Sequence, residues 1–150
     1  MSDNLSFHLD RFVEAQSSSW PRALDELRAG RKQSHWMWFV FPQLAGLGMS
    51  PTAQLYALVS VEEAKAYLRH PMLGPRLIEA TKATLAHSDK SLHEIFGAPD
   101  DMKFRSSMTL FELAAGDSGS LFSRALAELC GGQRDDRTLA LLDWTPEANA

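Results

Sequence analysis

Helix start signals recur along the whole chain, and they constrain the fold more than any other feature. Ser50 places a capping hydroxyl directly before Pro51, which suits the first turn of a helix. Ser60 and Ser91 are each followed three residues later by glutamate, the spacing of a capping box. Strict alternation of apolar and polar residues over the length of a strand is hard to find. These signals predict an all-α protein.

Apolar residues at spacings of three and four predict where the helices lie. Together with the caps, they predict seven to nine short helices in a single compact domain. The first helix is expected over residues 6–16 with Ser6 as its N-cap, and the second from Ser19-Trp20-Pro21 to Gly30. A longer helix is expected to be capped by Asp100 or Asp101 and to end at Ala115.

The length and composition predict one globular unit. The chain has 150 residues, of which 45% are hydrophobic and 23% are charged. A chain of this length buries roughly 70% of the surface that it exposes when unfolded, which is enough for a core without disulfides or metals. No composition shift marks a linker. We expect a single helical domain over residues 1–143, followed by a frayed tail over residues 144–150.

The charge balance argues against polyanionic partners. Fifteen lysines and arginines against nineteen acidic residues give a net charge of −4, which repels nucleic acid and anionic membranes. The single cysteine, Cys130, excludes an internal disulfide and a multi-cysteine zinc site. The N-terminal segment has no apolar run of signal-peptide length. These features predict a cytoplasmic protein, and they leave its oligomeric state open.

Common cofactor and metal motifs are missing. The segment GLGMSP lacks the third glycine of a dinucleotide fingerprint, and the chain has no phosphate-binding loop of the P-loop type. No pair of its five histidines has the HExxH spacing of a zinc site, and no GxSxG nucleophile motif occurs. We therefore predict no metal site and no cofactor.

The segment GRKQSHWMWFVFPQLAGLG, residues 30–48, is the densest aromatic stretch of the chain. Within it, HWMWFVF is apolar on every side, so periodicity does not separate a buried strand from a buried helix. Because no partner strand is evident elsewhere, the segment favours a buried helix. A strand remains the alternative.

The same segment is the first candidate binding site. Trp36 and Trp38 offer flat faces for a nucleobase or nicotinamide. The polar groups that could bind phosphate or sugar oxygens are Arg31, Lys32, His35 and Gln43. The alternative is structural, since aromatic side chains fill cores and cations suit the C-terminal end of a helix.

A second candidate stretch runs from Asp101 to Phe111. On a helix, Lys103, Ser106 and Ser107 lie on one side, beside the apolar stripe, and we add Thr109 to the same candidate set. Hydroxyl side chains are poor choices for a helix interior. The alternative is again structural: a solvated or tightly packed face whose hydroxyls bond back to the preceding turn.

Four motifs resemble the bacterial domain-of-unknown-function family numbered eighteen-ten: GRKQSHWMWFVFPQLAGLG, AYLRHPMLGPRL (66–77), IFGAPDDMKFRSSMTLF (95–111) and DRTLALL (136–142). The resemblance extends from about Leu9 to Leu142. It implies a compact, mainly α-helical domain without an established activity. Some members carry the label calpastatin, but calpain inhibitors of that kind are disordered and repetitive, whereas this chain has a core and no repeat.

The family is also similar, more remotely, to the NAD- and ADP-ribose-associated superfamily of small helical proteins, some of which cleave N-glycosidic bonds of ribose phosphates. The two stretches rich in polar groups beside aromatics, together with this analogy of fold and motif style, favour a metal-independent hydrolase or N-glycosidase for a nucleotide, an NAD-derived compound or an ADP-ribosylated compound. Besides Trp36 and Trp38 as stacking residues, the expected site includes Arg31, Lys32, His70 and Arg76 as ligand-binding residues and Asp101 and His35 as acid-base candidates.

Two further hypotheses compete with the enzyme. A non-catalytic helical module could bind a peptide or protein through an exposed Trp-rich segment. The hypothesis of nucleic-acid binding rests only on a few arginines near the aromatic residues, and the net negative charge of the chain argues against it. The enzyme hypothesis requires that residues 31–43 and 101–109 meet around one cavity.

Overall fold

Nine α-helices follow one another in the part of the chain that the computed structural model describes, residues 7–116 and 120–142. They are α1 (Asp10–Arg28), α2 (Met37–Val40), α3 (Pro51–Leu55), α4 (Val61–Arg69), α5 (Leu73–Leu85), α6 (Leu92–Phe96), α7 (Asp100–Ala115), α8 (Leu121–Leu129) and α9 (Asp136–Leu141). Within these residues the nearest approach to a sheet is one isolated parallel bridge between Leu44 and Leu58. The predicted all-α domain is confirmed, and the expected N-cap Ser6 and tail 144–150 lie outside the described residues.

Helix α7 is the centre of the packing. It contacts α4, α6, α8 and α9, and residues 106–111 are buried without interruption. Hydroxyl side chains in such a buried stretch can bond back to the preceding turn of their own helix. The hydroxyl of Ser106 donates to the Met102 carbonyl at 3.1 Å, and the hydroxyl of Thr109 donates to the Arg105 carbonyl at 2.8 Å. Most of the polar row predicted on this helix is therefore tightly packed.

Helix α1 is one continuous helix, so the prediction of two helices before Gly30 was wrong. The apolar stripe of Phe12 continues to Ala23 through Gln16, which is buried although it is polar. Pro21 lies inside the helix on its exposed side. A proline there removes one backbone hydrogen bond, and burial of the continuous stripe outweighs that loss.

The end of α1 matches its prediction. Gly30 has a φ of 78°, the left-handed conformation that favours glycine after a helix. Its N–H donates to the Leu27 carbonyl at 3.0 Å, and the Arg31 N–H donates to the Glu26 carbonyl at 3.0 Å. These two bonds form a Schellman motif, which reverses the chain and starts the aromatic segment.

Some of the predicted cap hydrogen bonds are present in the structure, and others are not. Ser50 caps α3, and Ser91 forms the complete capping box of α6. Ser60 caps α4, but the carboxylate of Glu63 accepts from the Val59 N–H at 2.8 Å and so does not close a box. The N-cap of α7 is Pro99 and makes no side-chain cap bond, so the expected aspartate cap was wrong.

Glu63 is almost fully buried, and its charge is paired with Arg11. The Arg11 Nη2 lies 3.0 Å from Glu63 Oε2 and also donates to the Ala57 carbonyl at 2.9 Å. The Arg11 Nε donates to the Leu55 carbonyl at 2.8 Å. A buried carboxylate needs such a partner, because an unpaired charge in the core is strongly destabilising. This pair fixes α1 against the chain between α3 and α4.

A second buried polar contact holds α2. The side-chain amide of Gln16 donates to the Phe39 carbonyl at 2.6 Å and to the Tyr67 hydroxyl at 3.1 Å. Arg76 donates to the other end of the same amide at 3.3 Å. Burial raises the pKa of Tyr67, so its hydroxyl stays protonated. Gln16 therefore ties α2 to α1, α4 and α5.

The motif AYLRHPMLGPRL forms the tight turn between α4 and α5. His70 Nδ1 accepts from the N–H of Met72 at 3.1 Å and from the N–H of Leu73 at 3.2 Å. A Cβ added to Gly74 would lie 2.1 Å from the Leu68 carbonyl oxygen, so only glycine allows this approach.

Replacing Gly74 tests this turn. We expect Gly74→Ala to lower the free energy of unfolding by about 2 kcal/mol or more, because backbone atoms of two helices must separate. Chemical denaturation measures the change. The control Lys82→Ala, at an exposed position of α5, should stay within about 0.5 kcal/mol of the unmodified chain. Equal stability of the two variants would contradict the close approach.

Candidate functional site

One carboxylate brings the two predicted segments together. Asp100, the first residue of α7, accepts from Lys32 with 2.8 Å between Oδ2 and Nζ. Its Oδ1 lies 3.3 Å from the Nζ of Lys103. The backbone N–H of Lys32 also donates to the Ile95 carbonyl at 2.7 Å, which holds the aromatic segment against α6. The start of α7 is thus fixed beside residues 32–43.

Each of these lysines also lies against a tryptophan. The Nζ of Lys32 is 5.3 Å from the ring centroid of Trp36, and the Nζ of Lys103 is 5.1 Å from that of Trp38. Both distances are within the range of cation–π attraction. Two cations share one carboxylate, so the cluster of Lys32, Asp100 and Lys103 carries a net positive charge.

A cavity of about 350 Å³ lies beside Trp38 and Lys103. We call it the Trp38 cavity. Its volume is at the lower end of the range for small-molecule sites. It is lined by Trp38, Gln43, Leu47, Gly48, Met49, Ser50, Ala53, Pro99, Met102, Lys103, Ser106, Asp135 and Arg137.

Several polar groups of the Trp38 cavity are available to a ligand. The side-chain amide of Gln43 and the guanidinium of Arg137 have no hydrogen-bond or ion-pair partner among residues 7–116 and 120–142. The carboxylate of Asp135 accepts from the Thr138 N–H at 2.9 Å and from the Thr138 hydroxyl at 2.6 Å. The lining thus combines two cations, one engaged carboxylate and one free amide.

The rim of the cavity is apolar. Met49 is 79% exposed and Met102 is 58% exposed, and both line the opening. Methionine side chains adapt their shape to a neighbour, so this rim can follow the outline of what enters.

Four of the predicted ligand-binding residues, two from each stretch, line this one cavity: Trp38, Gln43, Lys103 and Ser106. The condition that residues 31–43 and 101–109 meet around a cavity is therefore met. The Ser106 hydroxyl already donates to the Met102 carbonyl. The sequence did not predict Asp135 and Arg137 as lining residues, because they come from a distant part of the chain.

Trp36 and Lys32 lie under the surface. Trp36 is 1% exposed, and the Lys32 side chain is 8% exposed. The indole Nε1 of Trp36 donates to Glu26 Oε1 at 2.9 Å. Their present partners are therefore Glu26 and Asp100, inside the protein.

Glu26 anchors the start of the aromatic segment. Its carboxylate also accepts from the backbone N–H groups of Gln33 and Ser34, at 2.7 and 2.9 Å, and from the Ser34 hydroxyl at 2.6 Å. Burial works to raise the pKa of Glu26, but these bonds and the one from Trp36 lower it to about 2. The carboxylate therefore stays ionised at neutral pH.

His35 opens onto a different cleft. This cleft, of about 510 Å³, lies between α1 and the Gln33–Trp36 segment, and we call it the Arg22 cleft. It is lined by Ser18, Ser19, Arg22, Gln33, Ser34, His35 and Trp36. Arg31 is exposed and lines neither the Arg22 cleft nor the Trp38 cavity.

Asp101, the other acid-base candidate, lines neither the Trp38 cavity nor the Arg22 cleft. Its Oδ1 accepts from the Met102 N–H at 2.8 Å, and its Oδ2 is 3.8 Å from His93 Nδ1. The structure therefore does not bring Asp101 together with His35.

Three of the other four predicted ligand-binding residues have structural partners. His70 holds the turn before α5, and Arg76 lies 5.5 Å from the ring of Trp20 while it bonds Gln16. Thr109 accepts from the Asp135 N–H at 2.9 Å, and the buried Ser107 hydroxyl has no hydrogen-bond partner within the described residues. None of these four residues lines the Trp38 cavity.

The described residues contain neither a cluster of metal ligands nor a helix that could span a membrane. No three side chains of histidine, cysteine, aspartate or glutamate come together there to hold a metal ion. No helix among them combines the length and apolar character needed to cross a membrane.

Burial raises the pKa of the Cys130 thiol, an effect that the neighbouring Arg105 partly offsets.

The comparison with known families identifies the chain. The model of the family described as "Protein of unknown function (DUF1810)" matches residues 6–142. The chain belongs to this family. A solved structure, the conserved hypothetical protein Rv1873 from Mycobacterium tuberculosis, is 53% identical, with a TM-score of 0.89 over 93% of this chain and 99% of that one. No curated protein matches the chain. The remote similarity to the NAD- and ADP-ribose-associated superfamily stays a prediction.

The lowered pKa of Glu26 predicts a pH-dependent contribution to stability. A carboxylate whose folded pKa is below its ordinary value of 4.5 stabilises the fold above that pH, and the contribution disappears as pH falls toward about 2. We expect Glu26→Gln to lower the free energy of unfolding by about 2 kcal/mol at neutral pH, because charged hydrogen bonds are lost.

Chemical denaturation over a pH series measures this difference, which should shrink below pH 4.5. Glu62→Gln is the control, because Glu62 is exposed and its one ion pair within the described residues is with Lys65, a contact worth less than about 1 kcal/mol. A difference between Glu26→Gln and the unmodified chain that stays constant as pH falls would contradict the account.

Proposed function

We propose that the Trp38 cavity binds a small anionic ligand with a flat ring, of the nucleotide class. The observation that carries the proposal is the convergence of one indole, one side-chain amide and one lysine ammonium on the same cavity: Trp38, Gln43 and Lys103. An aromatic face, a hydrogen-bonding amide and a cation are the three groups that recognise a base, a sugar and a phosphate.

Trp38 is suited to the ring of the ligand. It is half-buried, so one part of the indole packs against the protein while another part borders the cavity. Stacking of a base on an aromatic side chain contributes about 1 to 3 kcal/mol. The amide of Gln43 can donate and accept, which allows it to read a base edge or a ribose hydroxyl.

Lys103 and Arg137 are suited to the phosphate. Asp100 holds the Lys103 ammonium near Trp38, so this cation is positioned before a ligand arrives. Arg137 has no partner within residues 7–116 and 120–142 and can approach a phosphate with its planar fork. The one acidic lining residue, Asp135, is already bonded to Thr138. The lining therefore attracts an anion.

Binding is the function that the geometry supports best, and catalysis is a further step. The predicted hydrolase or N-glycosidase needs an acid-base group at the ligand, and neither Asp101 nor His35 lines the Trp38 cavity. Incubation with NAD and ADP-ribose, followed by chromatography of the products, tests this step. Turnover that Asp101→Asn or His35→Ala abolishes would support the enzyme.

The alternative function is a module that binds a peptide or protein. It is supported by the apolar rim of the Trp38 cavity and not by Trp36, which is buried. Met49 and Met102 are exposed beside the cavity, and adaptable methionine surfaces accept apolar side chains of partner proteins. For this alternative, removal of the methionines would weaken binding, whereas Lys103→Gln would have little effect.

The nucleotide proposal predicts how two variants behave. In isothermal titration with a nucleoside monophosphate, ADP-ribose and NAD, we expect at least one compound to bind, with Trp38→Leu and Lys103→Gln each weakening it by about tenfold. The controls are Trp20→Leu, at another half-buried tryptophan, and Lys82→Gln, at an exposed lysine on α5; neither residue lines the cavity.

Melting temperatures of all four variants show whether each one folds. Absence of binding by all three compounds at millimolar concentration would overturn the proposal, as would an equal loss in the controls and in the cavity variants.

A further inference from the structure

We propose that the Arg22 cleft is a second binding site, for a phosphate group carried as a phosphomonoester or as free phosphate. The cleft shares no lining residue with the Trp38 cavity. The inference therefore does not rest on the proposed function of that cavity.

The cleft collects donors from two directions. Ser18, Ser19 and Arg22 lie on one side of α1, because residues three and four apart share a helix face. Gln33 and His35 face them from the chain that follows the Schellman turn. These five side chains contribute a guanidinium, an imidazole, two hydroxyls and an amide around about 510 Å³.

The donors are not used inside the protein. The side chains of Ser18, Ser19, Arg22 and His35 have no hydrogen-bond or ion-pair partner within the part of the chain that the structure describes. A phosphate dianion accepts hydrogen bonds at several oxygens, and the fork of an arginine binds two of them at once. The unused donors match that ligand in kind and in number.

No acidic side chain is among the described residues that line the Arg22 cleft. The nearby Glu26 bonds the Gln33–Trp36 segment with both of its oxygens. Oε1 accepts from Gln33, Ser34 and Trp36, and Oε2 accepts from the Ser34 hydroxyl. These four hydrogen bonds occupy both oxygens of the carboxylate, which stays ionised.

The same bonds organise the site in advance. The backbone at Gln33 and Ser34 is fixed to Glu26, and the buried Trp36 forms the floor. A site whose walls are already ordered loses little entropy when a ligand binds. Arg22 and His35 are exposed, so they are the groups that close on the phosphate.

A titration followed by nuclear magnetic resonance tests the proposal. The ¹⁵N-labelled chain is titrated with inorganic phosphate and with a sugar monophosphate, each against sodium chloride at equal ionic strength. We expect saturable shifts at the amides of residues 18–22 and 33–36. Tighter binding of the sugar monophosphate would identify a phosphomonoester as the ligand, and equal binding would identify the phosphate group alone.

Matched variants separate a built site from general charge attraction. Arg22→Ala should weaken binding by about tenfold, because it removes the charged fork. Arg31→Ala removes the same charge from an exposed position outside the cleft and should change the affinity by less than about twofold. The double replacement of Ser18 and Ser19 by alanine leaves the charge unchanged and should also weaken binding.

Three results would overturn the inference: shifts that do not saturate, equal losses in Arg22→Ala and Arg31→Ala, or phosphate-induced shifts centred on the Trp38 cavity. Amide spectra of the free variants establish that each is folded. If Arg22→Ala is not folded, the double serine variant decides the question alone.

Discussion

The position of the candidate site depends on one carboxylate. Asp100 joins Lys32, which follows the first helix, to Lys103, which lies two-thirds of the way along the chain. Without this shared ion pair, the start of α7 would lose its salt bridge to the aromatic segment, and Lys103 would lose the carboxylate that holds it near Trp38. Because two cations share one acid, the cluster keeps a positive charge at the cavity wall while neither lysine is left buried without a partner.

The aromatic segment divides into core and site residues for a physical reason. Two polar anchors set its orientation: Glu26 holds the indole of Trp36, and Gln16 holds the carbonyl of Phe39. Between these two anchors α2 makes about one turn. The residues on either side of Trp38 therefore point inward, whereas Trp38 points toward the cavity. Trp36 has the same side chain as Trp38, but its hydrogen bond to Glu26 holds it in the core. The difference between a packing tryptophan and a cavity-lining one is therefore set by polar contacts from α1.

Local signals explain why much of the fold could be predicted from the sequence. The caps at Ser50 and Ser91 and the Schellman end at Gly30 depend on residues a few positions apart, and they were confirmed. The split of α1 was wrong because the apolar stripe continues through the polar Gln16, whose burial depends on Tyr67 and Phe39. The contribution of Asp135 and Arg137 to the cavity also depends on distant contacts, which periodicity does not reveal.

The central claim is that the Trp38 cavity receives the ring and the phosphate of a nucleotide-like ligand. A crystal structure of the chain with a nucleoside monophosphate at saturating concentration tests it most directly. The account predicts a base stacked on Trp38 within hydrogen-bonding reach of Gln43, and a phosphate bonded to Lys103 or Arg137. A ligand bound elsewhere with this cavity empty, or an inverted pose with the phosphate against Trp38 and the base among the cations, would contradict it.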